Sequence, residues 1–145
     1  MVIKSFRGKI TDATIDTIPL STNDGSTGYR IKKFELFPSN PTVDNENIVQ
    51  IYSVPQTTTA TAVDFSDQTL LAVAMWTNSA TSYFHPSDIE VVFDNITFNQ
   101  DIYVSHRSSQ GGNAVNYYIE LEQIKLDLNE NTVATLKDIR NIEAQ

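Results

Sequence analysis

The sequence contains no cysteine, which excludes disulfide frameworks, thiol nucleophiles, cysteine-bound zinc and iron–sulfur clusters together. Histidine is almost as scarce: His85 and His106 are the only two, too few for a histidine-rich metal site. No apolar run approaches the roughly 18 residues of a membrane-crossing helix. The opening Met1-Val-Ile-Lys-Ser-Phe-Arg-Gly8 alternates instead of joining a charged segment to an apolar block, so the expectation is a soluble protein without a readable secretion signal. Positive charge is also in short supply. Ten Lys and Arg face 18 Asp and Glu, a formal net charge of -8, which argues against nucleic acid as a partner. The paired glycines Gly111-Gly112 lie in a hairpin and open no helix, so no phosphate-binding loop is present.

What remains is 145 residues, 40% of them hydrophobic, enough for a single domain over 1–145 around one core. Its charge is segregated along the chain. Residues 1–37 hold six bases and four acids, residues 38–103 hold eight acids and no base, and residues 104–145 carry a net charge of -2. The acidic middle reads most simply as a solvated exterior, with docking against a basic segment as the alternative.

Apolar residues recur with a period of two between turn signals, the pattern of half-buried strands. Val2, Phe6 and Ile10 fall on one face of a first strand, Ser5, Arg7 and Lys9 on the other. Strands follow at Tyr29 to Phe37, Asn47 to Val54, Thr69 to Trp76, around Ile89 to Phe93, around Ile102 to Val104, and at Ala114 to Leu128. The run from Thr69 to Trp76 is apolar on both faces, as in a covered central strand. In the last strand the inward phase changes from odd (Val115, Tyr117, Ile119, Leu121) to even (Ile124, Leu126, Leu128), predicting a bulge or bend between Glu122 and Gln123. Val133, Leu136, Ile139 and Ile142 then recur every three residues, predicting a short C-terminal helix over 129–143. The fold class is all-β: an antiparallel β-sandwich of jelly-roll or Greek-key type with that helix appended.

Sites of chemistry are hard to assemble. His85, Ser87 and Asp88 form a triad on paper only, with no nucleophile elbow. His106 shares the inward parity of Ile102 and Val104 and reads as a satisfied or half-exposed sheet histidine. Glu120 and Glu122 share a strand face, with Asp94 and Asp101 on nearby segments, but parity makes that face an ordinary polar exterior rather than a glycosidase pair. Asn23-Asp24 and Asp44-Asn-Glu46 offer oxygens in loops without calcium-loop spacing. Asn95-Ile-Thr97 matches a glycosylation sequon by chance. No catalytic, cofactor or metal residue is assigned. Among the aromatics, Tyr117 and Trp76 suit packing, whereas Tyr118 has outward parity and suits an interface or a carbohydrate shelf.

Five stretches, Gly28 to Pro41, Leu70 to Asn78, Val92 to His106, Asn116 to Leu126 and Thr135 to Arg140, resemble small proteins of marine tailed bacteriophages, including phages of cyanobacteria. That resemblance implies a non-enzymatic virion protein, and its size and fold are similar to capsid decoration or cement proteins. It implies the major capsid protein as partner, a homo-oligomer with a trimer favoured, a place on the capsid surface after synthesis in the host cytoplasm, and neither cofactor, nucleic acid nor membrane. The candidate partner-contact residues are Lys4, Arg7, Lys9, Arg30, Lys32, Lys33 and Tyr118, with residues 1–27 as an arm or contact segment. The alternatives are a tail- or spike-associated protein and a carbohydrate-binding module for host attachment, in which Tyr118 or Trp76 would line an exposed face.

Overall fold

The computed structural model describes residues 2–22, 25–40, 45–78, 88–108 and 113–127. Eight strands fill most of them: β1 (Val2–Ile10), β2 (Thr14–Ile18), β3 (Thr27–Pro38), β4 (Asn45–Tyr52), β5 (Leu70–Asn78), β6 (Asp88–Phe93), β7 (Ile102–Ser108) and β8 (Val115–Lys125). They form two antiparallel sheets, one of three strands ordered β1-β8-β3 and one of five ordered β2-β7-β4-β5-β6. The β-sandwich expected from the period-two pattern is therefore observed. The C-terminal helix, His85 and Ser87, the loops at Asn23-Asp24 and Asp44, and Gly111-Gly112 lie outside the described residues.

A jelly roll is a long hairpin rolled up, in which eight strands nest as pairs 1–8, 2–7, 3–6 and 4–5. Here β1 pairs with β8, β2 with β7 and β4 with β5. The remaining nested pair departs from that scheme. β6 keeps its place beside β5, and β3 lies across from it without ladder hydrogen bonds. The sandwich is thus left open on the side where β3 and β6 meet, with Phe34, Leu36, Val91 and Phe93 along a groove there.

Alternation places the core. Ile10 on β1, Ile31, Phe34 and Leu36 on β3, and Val115, Tyr117, Ile119 and Leu121 on β8 face Val49, Ile51, Ala72, Ala74, Trp76, Ile102 and Val104 from the other sheet. Gly8 answers a steric demand. It lies opposite Tyr117, whose ring crosses it so closely that a Cβ on Gly8 would stand 2.8 Å from the hydroxyl. The ring continues to Asp16 of β2, donating a hydrogen bond of 3.3 Å and tying the two sheets together. Burial, then the Asp16 carboxylate, push the Tyr117 hydroxyl up to about 12.

The bulge expected between Glu122 and Gln123 is corrected. β8 pairs without interruption across both residues, and Leu126, although buried, lies beyond the end of the strand at Lys125. The irregularity is in β3, where Lys32 is the extra residue between Ile31 and Lys33 and the buried phase changes from odd (Tyr29, Ile31) to even (Phe34, Leu36). Within residues 1–27, β1 is laddered to β8 over its whole length and β2 to β7, so these strands are built into the two sheets.

Part of the outward side of the five-stranded sheet, around Gln50, is covered by the connection from β4 to β5. Gln50, 0% exposed, donates from its amide to the carbonyls of Ala60 and Ala62, at 3.1 and 3.2 Å, and accepts from the Tyr52 hydroxyl at 2.8 Å. That cover explains why Leu70 to Ala74 are buried on both faces of β5.

His106 pins the tight turn between β1 and β2. It is 0% exposed, with Nδ1 3.0 Å from the Thr11 carbonyl and Nε2 2.8 Å from Asn47 Oδ1, while Asp12 accepts from the Ser108 amide at 2.7 Å. Burial pulls the imidazole below its ordinary range, and the Thr11 carbonyl and Asp12 offset only part of this. A histidine whose folded pKa is depressed takes up its proton more readily when unfolded. Stability is therefore expected to be full above about pH 6.5 and to fall as pH drops from there toward the depressed folded value. Urea titrations at a series of pH values should show this slope in the native chain and its loss in His106→Gln.

Candidate functional site

The register of the three-stranded sheet assembles a charged plate from strands far apart in sequence. Its outward residues form successive rows: Ile3, Glu122 and Arg30; Ser5, Glu120 and Lys33; Arg7, Tyr118 and Glu35; Lys9, Asn116 and Phe37. Six of the seven candidate contact residues, namely Arg7, Lys9, Arg30, Lys32, Lys33 and Tyr118, are thereby brought to this one sheet's outward side. Lys4 is the exception. It has the parity of Phe6, and its ammonium stands 6.0 Å from the centre of the Tyr29 ring.

Charge is sorted by sheet. β1, β3 and β8 carry seven basic and three acidic residues, a net of +4, whereas the five strands of the other sheet carry one base and four acids, a net of -3. The described strands of the acidic segment, β4, β5 and β6, all belong to that other sheet.

Within the basic plate the cations are not equivalent. Glu122 takes both Arg30, at 3.5 Å, and Lys32, at 3.2 Å. Lys33 reaches Glu35 at 3.5 Å and lies 5.7 Å from the centre of the Tyr118 ring. The Tyr118 hydroxyl donates to Glu120 at 3.2 Å. Arg7 and Lys9 are exposed and form no ion pair among the described residues. They flank a shallow depression of about 570 Å³ that Asn116, Tyr118, Glu35 and Phe37 complete. The short Asn116 leaves room between Lys9 and Phe37, and Phe37 is 66% exposed. An open depression with two uncommitted cations and two aromatic rings suits an anionic, partly apolar polypeptide surface.

Other candidates separate. Trp76 is 1% exposed inside the core, so of the two proposed carbohydrate-shelf aromatics only Tyr118 reaches a surface. Glu120 and Glu122 are tied into the plate, while Asp94 and Asp101 sit on the β6–β7 connection, where Asp101 accepts the Leu20 and Ser21 amides at 2.8 and 2.9 Å. Among the described residues no three His, Asp or Glu side chains are grouped so as to hold a metal ion. Nor is any helix among them long and apolar enough to cross a membrane. No protein-family model matches the chain, and no curated protein sequence matches it.

Two features escaped the sequence reading. Phe37 continues an ordinary strand alternation, and only its place at the open edge shows its exposure. Phe65 lies in the polar connection after β4, where periodicity assigns no face; it is 71% exposed.

Proposed function

We propose that the protein is a structural, non-enzymatic component of a phage virion, most specifically a decoration or cement protein that lies on the outer shell and bridges neighbouring subunits. One observation carries the reading: a sandwich whose charge is sorted so that the strands of one sheet are net basic and those of the other net acidic. A tile of that kind adheres to a shell and to its neighbours through complementary faces without a deep ligand cleft. The resemblance of the strand sequences to small phage proteins points the same way. The buried Trp76 and the engagement of Tyr118 with Lys33 and Glu120 weigh against the carbohydrate-binding alternative.

The test is reattachment. Purified protein added to shells stripped of it should bind, and bound protein should be released progressively as salt rises from about 50 mM toward 1 M, since exposed charges are screened beyond about 10 Å at 0.1 M. Attachment insensitive to salt would assign docking to apolar contact and remove the electrostatic part. No attachment at any ionic strength would remove the decoration reading.

A further inference from the structure

The connection over the five-stranded sheet carries a feature that the fold does not use. In Val63-Asp-Phe-Ser-Asp67, the Asp64 carboxylate accepts from both the amide, at 2.9 Å, and the hydroxyl, at 2.5 Å, of Ser66, and Asp67 does the same for Thr69, at 2.9 and 2.6 Å. The Asp67 amide in turn bonds the Asp64 carbonyl at 3.1 Å. Two successive side-chain-capped turns hold the backbone. Between them Phe65 is 71% exposed, the most exposed of the large hydrophobic residues described. A preorganised aromatic flanked by two carboxylates is a ligand-like projection, since the ordering cost of binding is already met by the fold.

The other side of the sandwich holds its complement: Arg7 and Lys9 without ion-pair partners among the described residues, beside the depression formed with Tyr118, Phe37 and Asn116. We propose that the Asp64–Asp67 turn of one copy docks into this depression of a second copy, Phe65 against Tyr118 and Phe37 and the two carboxylates against Arg7 and Lys9. Turn and depression belong to opposite sheets, so a chain cannot satisfy its own, and the contact between copies is head-to-tail. Repeated, such a contact closes a ring or extends a row according to the rotation per step. This inference goes beyond the virion role and does not depend on it. The acceptor is a second copy in preference to an unrelated acidic protein because the chain itself supplies both matched halves.

Sedimentation velocity of the purified chain up to about 1 mM, the range suited to a small contact, should show association that weakens with salt. Phe65→Ala and the pair Arg7→Glu with Lys9→Glu should each weaken it by more than roughly tenfold, while circular dichroism and melting stay those of the native chain because all three residues are exposed. The decisive arm mixes the two variants. Each retains one intact half, so together they should form a one-to-one dimer and nothing larger. A native chain that stays monomeric throughout, association that Phe65→Ala leaves unchanged, or a mixture that forms no dimer would each overturn the proposal, and none of these would bear on whether the protein occurs in virions.

Discussion

Replacing Trp76 with alanine is expected to lower the stability of the fold by about 3–5 kcal/mol, a large share of the 5–15 kcal/mol typical of a domain. The indole is on the inward side of β5, 1% exposed, in line with Ala72 and Ala74. Removing it deletes its transfer energy and leaves a cavity that paired strands cannot collapse into without breaking their ladders. Chemical denaturation should show the loss as a lower midpoint. Phe65→Ala, in contrast, should fall within about 0.5 kcal/mol of the native chain, as for exposed positions generally. A Trp76→Ala protein of native stability would mean that this residue is not a core residue and would reopen the carbohydrate-shelf reading.

The second large effect is expected at Gln50. Gln50→Leu keeps the volume but removes three hydrogen bonds at once, leaving the buried Tyr52 hydroxyl and the carbonyls of Ala60 and Ala62 to find other partners. A cost of about 2–4 kcal/mol follows from the loss of a satisfied buried network. The loss should be local. Amide hydrogen exchange should speed up across the connection from β4 to β5 while β8 stays protected. Because the same connection carries the Asp64–Asp67 turn, Gln50→Leu should also weaken association between copies, although residue 50 touches no neighbour. Unchanged exchange in that connection would show that other contacts hold it in place.

These results bear on how far the sequence reveals the molecule. The strands of the sandwich are legible because burial on one side imposes alternation, and the doubly apolar run at β5 announces a covered strand. Gln50 is not legible. A polar residue facing outward from a strand reads as solvated, and only the folded connection turns that outward face into a second interior. The bulge, by contrast, is written in the strand that carries it: the apolar phase of β3 changes from Tyr29 and Ile31 to Phe34 and Leu36 across Lys32 and Lys33, whereas the change from Leu121 to Leu126 marks only the end of β8 at Lys125.

The docking face was partly legible. Parity separates Arg7 and Lys9 from Lys4, and outward parity singles out Tyr118. The clustering of Arg7, Tyr118, Glu35 and Phe37 required the pairing of β1 and β3 to the two sides of β8, a long-range result of chain topology that local periodicity does not carry. The distinction between committed and uncommitted cations required distances. Glu122 lies opposite Arg30 and is shared with Lys32, so the basic cluster in β3 is largely neutralised on its own sheet, whereas Arg7 and Lys9 are left for a partner.

The most direct test of the central proposal, that this charge-sorted sandwich is a shell-covering phage protein, is its copy number in purified virions, measured by quantitative mass spectrometry against the major capsid protein. A shell-covering tile should be present in numbers comparable with the capsid protein itself. A few copies per particle would place it at the tail or a vertex instead, and its absence from particles would contradict the virion role altogether.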